Sequence, residues 1–194
     1  MSDGSGASGG GRLRVLRAVA RVLDGASEWA GRIFAWLTLG TVLICFATVY
    51  LRYAFNIGLI WLQELYIWTH VAAIMFGAGY VLMRGGFVRV DLLYARMGPR
   101  GRARVDFIGT VCFMTPFLVM MALSGWPFFR SSYLMHEASQ QETGLSGWWL
   151  LKGTLMVFVV SVGVQGLSMA IHSLIALMEA SSAETAADKP AEVV

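Results

Sequence analysis

The side chains in this sequence that could do chemistry are few and widely spaced. Glu64 follows Trp61 closely and stands just ahead of a long apolar run. A carboxylate in that place needs a partner or water, because an isolated charge in or beside hydrocarbon is costly. Arg52, at the far end of the same short polar stretch, is the expected partner. An ion pair or a contact with another subunit would follow; an acid facing interfacial water is the plainer alternative. A second cluster reads Arg84-Gly85-Gly86-Phe87-Val88-Arg89-Val90-Asp91-Leu92-Leu93, in which Asp91 can pair with Arg84 or Arg89. His70, His136 and His172 raise the possibility of axial haem ligation in a helical bundle. Their placement opposes it: His70 falls near one end of a run, His172 near the other end of the bundle, and His136 in a connector. Hydrogen bonding between helices is the expected role of His70, His172 and the lone amide Gln165. Patterns for a serine nucleophile, a zinc-binding helix, a paired-thiol centre and a phosphate loop are all missing. No catalytic residue, cofactor or metal is therefore expected.

The elements that hold these residues are set by composition. Of 194 residues, 57% are hydrophobic and 14% charged. Soluble domains average about 45–50% and 25%. The apolar residues fall into four blocks, 33–51, 65–83, 107–129 and 153–177. Each is long enough to cross a hydrocarbon core of about 30 Å as a helix. In lipid the backbone must satisfy its own hydrogen bonds, so each block is expected to be helical. Cys45 and Cys112 lie inside these blocks and act as small hydrophobes, with no disulfide framework.

Charges bracket the blocks, and their sign is lopsided. Arg12, Arg14, Arg17, Arg21 and Arg32 precede the first block. Arg84, Arg89, Arg96, Arg100, Arg102 and Arg104 lie between the second and third, and Lys189 follows the fourth. Only Arg52, Arg130 and Lys152 fall on the opposite side. The positive-inside rule then places both termini and the middle connector in the cytoplasm. The net charge of +3 is thus a topology signal. Membrane lipids, and not nucleic acid, are the expected partners of the arginines.

The expected fold is an all-α membrane protein with four transmembrane helices and both termini cytoplasmic. Residues 1–11, rich in Gly and Ser, read as a flexible tail. Leu13, Leu16, Ala20 and Leu23 recur at helical spacing, with Arg14, Arg17 and Arg21 on another face. This suggests a short N-terminal amphipathic helix in the membrane interface; a helical extension of the first span is the alternative. The first apolar run is longer than a secretory h-region, so no cleaved signal is expected. The membrane domain is read as 12–180, and 181–194 as a disordered tail.

Three motifs in order add a family reading. They are Arg52-Tyr53-Ala54-Phe55-Asn56, then Trp61-Leu62-Gln63-Glu64-Leu65, then the Arg84–Leu93 cluster. The chain resembles the small membrane subunit (DctQ-like) of tripartite ATP-independent periplasmic (TRAP) transporters over roughly residues 33–178. Phe87 stands where that family usually carries histidine, and Gly147 where a proline often precedes the last span. The resemblance implies an inner-membrane subunit that scaffolds a large multi-span transport subunit. It also implies help in docking a periplasmic solute-binding protein, for sodium-driven uptake of an organic anion such as a carboxylate. Arg52, Trp61, Glu64, Arg84, Arg89 and Asp91 become candidates for structural or subunit-interface roles. The competing readings are an independent four-helix carrier, a membrane haem subunit and a scaffold unrelated to transport.

Overall fold

The computed structural model describes residues 5–86 and 96–187. Among them the chain is helical apart from its connectors, with one isolated antiparallel bridge between Ala138 and Ser146. Helix α1 runs Ser5–Ala54, α2 Ile60–Met83, α3 Pro99–Ile108, α4 Thr115–Leu134 and α5 Trp148–Ala187. Four helical stretches are long and apolar enough to cross a membrane: Leu13–Ala54, Ile60–Met83, Pro99–Leu134 and Trp148–Ser181. They contain the four expected spans.

Helix ends follow local chemistry. Ile57 N–H donates to the Leu51 carbonyl around Asn56, which sits at φ 55°. Gly86 N–H likewise donates to Val81 around Gly85, at φ 67°. Both are left-handed caps that absorb the last free carbonyls of a helix. Asn and Gly are the residues that tolerate them. The asparagine of the first motif and a glycine of the third are therefore helix stops.

Two helices are longer than the spans predicted within them. With 50 residues, α1 is about 75 Å long at 1.5 Å per residue. It begins inside the segment expected as a tail and continues unbroken into the first span. Arg12–Asp24 is thus the leading part of one rod and not a separate element. Similarly, α5 continues to Ala187, past the expected limit at 180. A hydrocarbon core of about 30 Å cannot contain either rod, so both project at the end that carries the termini.

Helices α3 and α4 are joined by a π-helical turn, Gly109–Met114. Its cause is Pro116, which has no N–H and whose ring crowds the carbonyl four residues earlier. Widening the helix one turn before the proline relieves that crowding. Thr115 Oγ1 donates to the Thr110 carbonyl at 3.0 Å, which satisfies an acceptor in the distorted turn.

The helices meet through small and polar residues. In the antiparallel α1–α2 hairpin, the Thr41 and Thr69 hydroxyls lie 2.9 Å apart and Phe34 stacks on Phe76 at 4.2 Å. Helix α5 packs against α1, α2, α3 and α4. Ala78 of α2, Leu118 of α4 and Val162 of α5 form the buried apolar cluster. Large apolar side chains such as Trp36, Phe46, Phe113 and Leu123 point outward, as expected where lipid or a partner covers the surface.

Helices α2 and α5 come backbone to backbone at Gly79, whose N–H donates to Ser161 Oγ at 3.1 Å. A Cβ there would lie 2.6 Å from the Ser161 carbonyl oxygen, whereas one on Gly77 would meet nothing within 4 Å. Gly79→Val should therefore force α2 away from α5, at an overpacking cost of about 1–3 kcal/mol. Gly77→Ala should leave stability equal or slightly raised. Thermal melts of the two variants in detergent micelles check this, and equal losses would refute the packing assignment.

Candidate functional site

The richest polar arrangement lies at the end of the bundle opposite the termini. It is built around the connector between α4 and α5. Helix α4 stops with His136 in the left-handed region at φ 47°, and Glu137 N–H donates back to the Ser132 carbonyl. Ser139 N–H then donates to the Leu145 carbonyl, closing the loop on itself. Gly144 sits at its tip against Ser139 and Glu64; a Cβ there would fall 2.7 Å from Glu64 Oε1.

Glu64 anchors this loop to α2. Only 7% exposed, its carboxylate accepts a hydrogen bond from the Ser139 hydroxyl and another from Leu145 N–H at 2.6 Å. These donors replace the expected arginine: no ion pair joins Glu64 to Arg52 among the described residues. Neutral donors suffice because a carboxylate accepting short, charge-assisted hydrogen bonds is well compensated. Arg52 instead ends α1, where its charge complements the helix C-terminus.

A second anchor joins the loop to α5. Glu137 Oε2 accepts from Lys152 Nζ and from Ser132 Oγ, both at 2.5 Å. Lys152 also lies 4.3 Å from the centre of the Phe128 ring. Lys152, and after it Ser132, hold the Glu137 carboxyl below the usual glutamate range. Between the anchors is a cleft of about 600 Å³ whose walls include Gln63, Glu64, Glu137, Ser139, Trp148 and Lys152. Trp61 lies half-exposed on the adjoining turn of α2. Gly147, at φ 94°, turns the chain into α5. Proline, fixed near −65°, could not hold that conformation, so the departure from the family's usual residue has a local cause.

The opposite end carries a polar centre that the sequence did not single out. Asp24 Oδ1 accepts from Ser168 Oγ at 2.6 Å and from Gln165 Nε2 at 3.1 Å, and Oδ2 lies 2.9 Å from His172 Nε2. Gln165 and His172 thus bond across helices as expected, but to a carboxylate in α1. The signal was in the spacing. Ala20, Asp24, Ser27 and Gly31 form an i, i+4, i+7, i+11 stripe, and Ser161, Gln165, Ser168 and His172 form its counterpart. Small and polar stripes at helical period mark helix contacts in lipid. Arg17 pairs with Glu179 further along the same contact.

Arg84 lies nearby and is paired with Glu28 at 3.0 Å, a carboxylate shared with Arg32 at 2.8 Å. It also covers the Tyr80 ring. The Arg84 candidate therefore ties α2 to α1. Arg89 and Asp91 lie outside the described residues. The four described candidates do not converge: Arg52, Trp61 and Glu64 belong to one end and Arg84 to the other. Among the described residues, no cluster of three or more His, Cys, Asp or Glu side chains could hold a metal ion.

The second anchor makes a pH prediction. Because the folded state lowers the Glu137 pKa, its contribution is present above the unfolded glutamate value and lost as pH falls through the lowered one. Thermal stability of the full chain should drop on acidification through that range. In Lys152→Met the acid-dependent drop should shrink; an unchanged pH profile would contradict the pairing.

The family model for the DctQ component of tripartite ATP-independent periplasmic transporters matches residues 41–182. No curated protein and no solved structure matches. The matched stretch runs from the last third of α1 through the Glu64 loop and nearly all of α5. The chain belongs to the DctQ family and is a small permease component of a TRAP transporter.

Proposed function

We propose that this subunit braces the large transport subunit in the bacterial inner membrane and presents the Glu64 loop to a periplasmic solute-binding protein. The solute is an organic anion, of which a carboxylate is the leading class, and its uptake is driven by a sodium gradient. Both termini lie in the cytoplasm in this reading, in keeping with the arginine distribution. The loop end then faces the periplasm.

The loop's double anchorage carries the docking proposal. One carboxylate ties it to α2 and another to α5, so its polar tip is presented in a fixed shape. Preorganised surfaces bind with less ordering cost than floppy ones. Gln140 and Gln141 at the tip can offer hydrogen bonds to a soluble partner. A haem reading has no paired histidines behind it: His172 faces Asp24, while His70 and His136 are exposed elsewhere on the chain.

Co-purification of the three-part complex tests this directly. Glu64→Gln should insert normally and retain the large subunit, but capture the binding protein about tenfold more weakly, a loss of roughly 1.4 kcal/mol. Arg84→Ala, at the other end, should leave that capture unchanged. Equal capture by wild type and Glu64→Gln would remove the docking role.

A further inference from the structure

We propose that the groove between the α3–α4 rod and α5 is a binding site for one anionic phospholipid, with its phosphate on Arg104 and an acyl chain along the groove. The groove encloses about 400 Å³, and its walls include Thr110, Met114, Leu118, Gly163, Gly166 and Leu167. Apart from the two threonines at its start, Thr110 and Thr115, it is lined by apolar side chains and glycines. On one side it extends from Thr110 in the π-helical turn to Ala122 in α4, and along α5 from Ala170 back to Val159. Twelve residues of helix correspond to about 18 Å. One leaflet of a 30 Å hydrocarbon core is about 15 Å deep. The groove therefore matches an acyl chain in one leaflet; a spanning partner helix would need a seat about twice as long.

The charge at its open end complements a phosphate. Arg104 lies six residues before Thr110, about 9 Å along the rod. Ile108 and Val111, both exposed, follow it at i+4 and i+7. Its neighbours are engaged elsewhere: Arg100 donates to the Ala180 carbonyl and Arg102 to the Met97 carbonyl at 3.0 Å. Arg104 is exposed and makes no hydrogen bond or ion pair among the described residues. Asp106, two positions on, points to another side of the helix and has its own interaction. One helical face thus passes from a cation to an apolar furrow, the same order as headgroup and chain. The inference rests on the chain spanning a membrane and is independent of the docking role of the Glu64 loop.

Native mass spectrometry of the full chain, released from micelles with added lipid, tests the site. Phosphatidylglycerol should be retained over phosphatidylcholine of the same chain length. Arg104→Gln should lower phosphatidylglycerol retention about fivefold, the effect expected of one basic residue at an anionic surface. Gly163→Leu and Ala122→Leu fill the groove and should lower retention of both lipids. Having two fillers keeps the test decisive if one fails to insert, which circular dichroism reports. Equal retention by wild type and Arg104→Gln would overturn the proposal. So would glycerol phosphate competing as well as the intact lipid. Crosslinking of groove residues to a helix of the large subunit in the assembled complex, with loss of the lipid, would assign the groove to a protein partner instead.

Discussion

Helices in a bilayer gain little from burying leucine against leucine, because lipid tails are equally apolar. What holds them in register is close backbone approach and hydrogen bonding between the few polar groups they carry. In this chain that constraint converges on one helix face. Ser161, Gln165, Ser168 and His172 of α5 meet Gly79 of α2 and Asp24 of α1. Gln165 and Ser168, at 2% and 0% exposure, are among the most buried side chains described, more so than the leucines around them. The apolar residues make the chain enter lipid; the polar stripe decides which helix lies beside which.

The same economy shapes both ends. Charged groups sit at helix ends or on the projecting rods, and most have a named partner. Glu28 joins Arg32 and Arg84, Glu137 joins Lys152, and Glu64 holds a loop through neutral donors. Such pairs fix shape. A protein that carries an anion needs cations or dipoles it can offer to the solute, and those described here are largely engaged in structure. That agrees with a division of labour in which another chain performs the transport.

Much of this architecture was legible in the sequence, for physical reasons. Apolar runs of 19 residues or more admit few alternatives in lipid, so the spans are legible apart from their ends. The motif around Asn56 and Gly85 was visible, and the structure supplies its cause in two left-handed helix caps. The partner of Glu64 was misjudged because sequence shows charges more plainly than backbone donors. Nothing in the loop composition reveals that Leu145 N–H points at a carboxylate 81 residues away in α2. Asp24 carries no such charge signal, because its partners Gln165 and Ser168 are neutral and lie 141 and 144 residues away in α5. The continuity of α1 was obscured for a related reason: no proline interrupts 12–54, yet the change from basic to apolar composition suggested a boundary.

In the proposed division of labour this chain supports transport and the large subunit performs it. The most direct measurement is sodium-driven uptake of labelled carboxylates into proteoliposomes, with binding protein present, comparing this chain alone, the large subunit alone and both together. Uptake is expected only when both are present, with membrane insertion of this chain equal in each case. Uptake by proteoliposomes that contain this chain as their only membrane protein would contradict it.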